Sequence, residues 1–104
     1  MTNQTLALLA AMLDDPTRPW YGLELAASAG LKTGTIYPAL ARLETAGWLT
    51  STWEDVDPRR EGRPRRRLYE LSGRGYERAQ AALDEQADAK PTKTVMKEKM
   101  KEKQ

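Results

Sequence analysis

The stretch from Tyr21 to Trp48, YGLELAASAGLKTGTIYPALARLETAGW, constrains the fold most, because it reads as two helices joined by a tight turn. Leu23, Leu25, Ala26 and Ala29 give the first helix an apolar side, and Gly30 stands where a helix stops in the left-handed conformation. In the second helix Ile36, Leu40 and Leu43 recur at i, i+4 and i+7, which makes a narrow buried stripe. A helical wheel puts Gly34, Pro38, Ala41 and Thr45 opposite that stripe, flanked by Thr35, Tyr37 and Arg42. That outward side is small and polar. It lets a helix backbone come close to another surface while short hydrogen-bonding side chains and an arginine reach it, as a helix in a DNA major groove must. Pro38 loses a backbone hydrogen bond and crowds the carbonyl of Gly34, where glycine permits a local bend near the helix start. The same features also describe a two-helix corner in an ordinary small helical protein, since helix-turn-helix patterns are weak in isolation.

The chain has 104 residues and neither cysteine nor histidine, so one small domain with a modest core is expected. Those missing residue types exclude a Cys/His zinc site, a Ser-His-Asp or Cys-His triad and a disulfide framework. No carboxylate cluster suggests a metal site in their place, and no catalytic residue, metal ligand or cofactor is expected. Net charge is only +2, yet Arg59, Arg60, Arg63, Arg65, Arg66 and Arg67 crowd one short stretch, and distribution matters more than the total. No apolar run approaches a membrane span, and the start MTNQTLALLA lacks the basic region of a signal peptide, so a cytoplasmic location is expected.

Ahead of the helix pair, Thr2 or Asn3 caps a first helix that runs through Leu6, Leu9 and Leu13 to Asp14, with Leu8 and Met12 beside the stripe. A helix apolar on more than one side buries most of its surface, either under the helix pair or against a partner chain. Trp20 is expected in the core, while the Tyr21 hydroxyl suits the core or a phosphate contact equally.

After the pair, Trp48 to Trp53 alternates as a strand, with Leu49 and Trp53 on one side. Glu54 to Arg65 is charged and interrupted by Pro58, Gly62 and Pro64, which reads as an extended loop. Arg66 to Leu71 returns as a second strand, with Arg67, Tyr69 and Leu71 on one side. Two strands around a basic tip, beside a helix-turn-helix pair, make the wing of a winged helix. The acids Glu54, Asp55, Asp57 and Glu61 lie mainly on the outgoing side, which leaves Arg63, Arg65 and Arg66 as a positive edge for phosphates or a narrow minor groove. The competing reading is a solvated loop.

Ser72 caps a last helix that continues through Tyr76, Ala79 and Leu83 to Asp88, and its alanine-rich side can pair with a second copy or pack back on the domain. Every arginine precedes Lys90, and every lysine but Lys32 stands at or after it. The expected organisation is therefore a winged helix-turn-helix DNA-binding domain over residues 1–71, a dimerisation helix over 72–90 and a lysine-rich flexible tail over 91–104. The expected fold class is mainly α with a small two-stranded β-hairpin and an additional C-terminal helix.

In that order, YGLEL, GTIYPALARLETAGW and EGRPRRRLYELSGRG resemble the PadR-like winged-helix transcription regulators, from Leu6 to about Leu83. The G-T-x-Y-P opening, the L-x-x-L-E-x-x-G-W exit and the G-R-P-R-R wing return stand at the family's spacing. The resemblance implies a bacterial or phage-type repressor that binds double-stranded DNA as a homodimer, joined largely through its C-terminal and first helices. It also implies that Gly34, Thr35, Tyr37 and Pro38 form the groove-facing helix start and Arg63 to Arg67 the wing. The expected DNA-contacting set is Tyr21, Lys32, Thr33, Gly34, Thr35, Tyr37, Pro38, Arg42, Arg63, Arg65 and Arg66, and the expected dimer set is Leu6, Leu9, Tyr76, Ala79 and Leu83. The chain departs from the family pattern after Ser72, where the helix is short and poor in large apolar residues, and no residue is assigned to a small-molecule effector. A reading from another class is a winged-helix module that binds an acidic protein partner through its aromatic residues and arginine wing. An enzyme is disfavoured by the absence of His and Cys.

Overall fold

Thr2 starts the first helix by accepting a hydrogen bond from the Thr5 amide at 3.1 Å, which satisfies a donor that the first turn leaves free. The computed structural model describes residues 2–89, and the tail expected over 91–104 lies outside them. The elements in order are α1 (Asn3–Leu13), β1 (Trp20–Tyr21), α2 (Gly22–Ala29), α3 (Thr33–Thr45), β2 (Leu49–Trp53), α4 (Pro58–Glu61), β3 (Arg67–Leu71) and α5 (Gly73–Ala89).

The buried residues of α1 are Thr5, Leu6, Leu8, Leu9 and Met12, so Leu6 and Leu9 of the expected Leu6–Leu9–Leu13 row are buried together with Leu8 and Met12 beside it, and Leu13 is only half-buried. The buried side is this broad because α1 packs on both α2 and α5, so two of its sides are covered. Gly30 ends α2 at φ 69°, and the Leu31 amide returns to the Ala26 carbonyl at 2.8 Å, which turns the chain into α3. Ile36, Ala39, Leu40 and Leu43 are buried along α3, which continues through Pro38. Leu23 does not join the apolar side expected of α2. It is 55% exposed, because it occupies the first turn, on the side of the wing rather than of α1.

The sheet has three antiparallel strands in the order β1-β3-β2, one more than the hairpin expected from the sequence. The added strand is Trp20 paired with Tyr69 and Tyr21 with Leu68, too short to show any periodicity. In the hairpin, Leu49 pairs with Leu71 over the core and Trp53 with Arg67 beyond its edge, so Trp53 is exposed although it shares a side with Leu49. The linking segment is not fully extended. Asp57 accepts from the Arg59 amide at 3.0 Å, Pro58 opens the turn of helix α4, and Gly62 closes it at φ 71°.

The start of α5 is fastened to the turn between α3 and β2. The Ser72 hydroxyl donates to the Gly47 carbonyl at 2.7 Å and accepts from the Gly75 amide at 2.9 Å. From there α5 packs back on α1, with Ala79 fully buried between them. Leu6, Leu9 and Ala79, expected at a dimer interface, are therefore covered within the chain itself, because their two helices meet each other. Tyr76 stays exposed and Leu83 half-buried.

Candidate nucleic-acid interface

The N-terminal half of α3 presents Gly34 and Pro38 to solvent, with Lys32 and Thr33 exposed at its entry, Thr35 half-buried and Arg42 exposed one turn on. Tyr37 leans away from this row and lays its ring on Gly22 at the start of α2, leaving the side chain 44% exposed. A Cβ at Gly22 would stand 2.5 Å from Tyr37 Cε1. The obstructing atoms belong to the far end of a movable side chain, so Gly22→Ala is expected to swing the ring while changing stability by only about 0.5 kcal/mol. DNA affinity should fall as it does in Tyr37→Ala, which parallel melting and duplex titrations of the two variants would check.

The wing stands next to Tyr37 because its base is tied to α3. The Ser51 hydroxyl donates to Glu44, Arg67 Nε donates to Ser51 Oγ at 3.1 Å, and the Arg67 guanidinium lies 3.9 Å from the Glu44 carboxylate. Between the wing on one side and β1, the start of α2 and Tyr37 of α3 on the other runs a groove of about 430 Å³ whose lining includes Tyr21, Leu23, Tyr37, Pro64, Arg65 and Arg66.

The arginines of the wing are not one uniform edge. Arg63 grips both carboxylate oxygens of Glu54, at 2.7 and 3.1 Å, and lies 3.8 Å from Glu61. Glu61 is a near neighbour of Arg63 along the chain but Glu54 is not, and the hairpin folds Glu54 across to Arg63 and to the Arg66 amide at 3.0 Å. Arg66 stacks over the Tyr21 ring at 4.1 Å, and Arg65, with Nε on the Val56 carbonyl at 2.9 Å, is exposed. Tyr21 therefore supports the wing through its ring, while Trp20 is buried as expected, under an Arg18 guanidinium 3.8 Å from its ring and paired with Glu24. Two arginines outside the set expected from the sequence, Arg59 and Arg60, are exposed on α4 at the tip. The signal for them is the D-P start and following glycine, which mark a helical turn.

Hydrogen bonds from Arg63 and then from the Arg66 amide hold the Glu54 carboxyl at about 2, below its ordinary 4.5. Glu54 thus binds its proton less readily folded than unfolded. Its support of the wing is complete above about pH 4.5 and is lost as pH falls through about 2. The protection of amides across residues 54–66, taken relative to exchange of an unstructured chain at the same pH, is expected to fall over that window in the wild type. In Glu54→Gln that protection should be low already at neutral pH, with no acid step.

Among the described residues no group of acidic, His or Cys side chains is arranged to hold a metal ion, and no helix is long and apolar enough to cross a membrane.

A family model described as the transcriptional regulator PadR-like family matches residues 9–81. No curated protein sequence matches the chain. Among solved structures, a PadR family transcription regulator from hypervirulent Clostridium difficile is similar with a TM-score of 0.72 at 23% identity, over 88% of this chain and 94% of that one. A protein of Streptococcus mutans has a TM-score of 0.70 at 23% identity, over 86% of this chain and 84% of that one. Reduced AbfR bound to DNA has a TM-score of 0.63 at 20% identity, over 81% of this chain and 55% of that one. At these identities the structural likeness is one of fold. The family match runs from Leu9 in α1, through the helix pair and the wing, to Ala81 in α5, and on that span the chain belongs to the PadR-like family of transcriptional regulators.

Proposed function

We propose that this DNA-binding regulator is a repressor that occupies its operator as a homodimer in the cytoplasm, without chemistry of its own. The observation that carries the reading is that the exposed, small polar start of α3 stands beside the cationic side of the wing, which meets α3 through Tyr37 across a groove lined by both. A helix whose outward residues are Gly34, Thr35 and Pro38 approaches base edges closely, and Lys32, Thr33 and Arg42 are placed to take the phosphates on either side. Arg65 and Arg66 reach the neighbouring phosphates or minor groove, whereas Arg63, committed to Glu54, positions the wing. Residues 1–71 form the DNA-binding unit in this reading. The outer side of α5, with Tyr76 and Leu83, joins the second copy, and sedimentation at micromolar concentration should give a dimer.

Titration of a mixed-sequence duplex over a series of salt concentrations tests the proposal. Affinity should fall steeply with salt. Arg65→Ala should lower the logarithmic slope by roughly one unit for each phosphate no longer neutralised, or about two in a dimer. An absence of binding at low salt would contradict the proposal and favour an acidic protein as the wing's partner.

A further inference from the structure

We propose that the cleft at the wing tip between Trp53, Pro58, Pro64 and Arg65 is a second DNA-contact site, which seats a deoxyribose of the duplex backbone between arginine-bound phosphates. The inference rests on the DNA-binding reading above and extends it to residues outside the α3 groove.

Trp53 is the most exposed large apolar side chain among the described residues, at 61%. It lies past the edge of the core, where its cross-strand partner is Arg67 rather than an apolar residue, so its area contributes little to the fold. An indole kept in water at the end of a strand calls for a partner. The cleft it lines has a volume of about 520 Å³. Its apolar surface is the indole and two proline rings, and its geometry is fixed locally. Pro58 is held by the capped turn of α4, and Pro64 follows Arg63, whose guanidinium is clamped on Glu54. The Arg67 guanidinium, 5.0 Å from the indole ring, steadies Trp53 from within the wing.

Charge identifies the occupant. Arg65 lines the cleft, and α4 sets Arg59 and Arg60, both exposed, beside Pro58. Arg63 is bound to Glu54, and Asp55, Asp57 and Glu61 stay exposed beside the exposed Arg59, Arg60 and Arg65, so the positive excess is that of the whole wing, where residues 54–67 hold six arginines against four acids. A DNA strand alternates an apolar sugar with an anionic phosphate, and an aromatic floor between guanidinium groups complements that alternation. A proline-rich peptide would use the indole and the prolines but gain nothing from the arginines.

The test compares wild type, Trp53→Ala, Trp53→Phe and Arg65→Ala on one mixed-sequence duplex at several salt concentrations. Trp53→Ala is expected to weaken binding about ten-fold, as loss of an aromatic platform does, with the salt slope unchanged because no charge is removed. Trp53→Phe should retain most of the affinity, and both should melt with the wild type. Acrylamide quenching of wild-type tryptophan emission should fall when duplex is added, and Trp53→Phe, which keeps only the buried Trp20 and the half-buried Trp48, should lose most of that fall. Unchanged affinity in Trp53→Ala while the wild type binds would overturn the cleft and leave the α3 groove standing. A loss accompanied by a reduced slope would show that Trp53 acts only by placing arginines, and would also overturn it. Protection of Trp53 by a proline-rich peptide and not by duplex would assign the cleft to a protein. A wild type that binds no duplex at low salt removes both this site and the reading it rests on.

Discussion

Gly75→Ala is expected to cost about 3 kcal/mol or more, because the added methyl has nowhere to go. Its Cβ would stand 1.8 Å from the Trp48 carbonyl oxygen and 2.6 Å from the carbonyl carbon, and backbone cannot swing aside as a side chain can. The turn bearing that carbonyl is also where Ser72 is hydrogen bonded, so relieving the clash means lifting α5 off its anchor and exposing Ala79 and the side of α1 beneath it. A loss of this size in a chain this small lowers the melting temperature by about 15 °C. Gly73 stands two residues earlier in the same helix, and a methyl added there would meet no neighbouring atom within 4 Å. Gly73→Ala is therefore expected to be neutral or to stabilise by a few tenths of a kcal/mol, about what helix propensity allows. Thermal melts of the two variants side by side check the claim, and equal melting temperatures would contradict the close approach of α5 to Trp48.

The second large effect separates folding from recognition within α3. Leu40 is fully buried among α1, α2 and the rest of the core, and Leu40→Ala is expected to cost about 2–5 kcal/mol through the cavity it leaves. Thr35 lies on the other side of the helix and is only half-buried, so Thr35→Ala should stay within about 0.5 kcal/mol of the wild type. The same change should weaken specific DNA binding by about 1–3 kcal/mol while leaving non-specific binding nearly intact, since a base-edge contact carries sequence information and a phosphate contact does not. Denaturant melts and duplex titrations together read both halves of this contrast. If Thr35→Ala melts as Leu40→Ala does, the row from Gly34 to Pro38 serves the core rather than the groove.

Much of this arrangement is legible in the sequence, and the features that are not share physical causes. The Ile36–Leu40–Leu43 stripe and Gly30 locate the helix pair because periodicity and a left-handed cap are local signals. The turn at Gly47 and the cap at Ser72 are local in the same way. By contrast, β1 has only two residues and exists because β3 offers it an edge, so no pattern within Trp20–Tyr21 can announce it. The same holds for Arg63, which looks free along the chain. Its carboxylate lies nine residues earlier and meets it only when the hairpin closes. Leu23 and Leu13 match an apolar row but lie where no neighbouring element covers them fully. Leu9 and Ala79 suit a partner chain equally well on paper, because burial inside one copy and burial between two leave the same pattern. At the wing tip, charge draws attention to the arginines, while Trp53 passes as an ordinary strand residue until its exposure is visible.

Selection of bound fragments from a random duplex pool tests the central claim most directly, since it reports binding, base specificity and symmetry in a single experiment. If α3 reads the major groove in each half of a homodimer, the enriched fragments should share a pseudo-palindrome with half-sites roughly 10 base pairs apart, and Thr35→Ala should relax the preference within each half-site. A pool that emerges without any shared sequence, from a protein that binds duplex at low salt, would contradict a sequence-reading α3 and leave only a non-specific cationic surface.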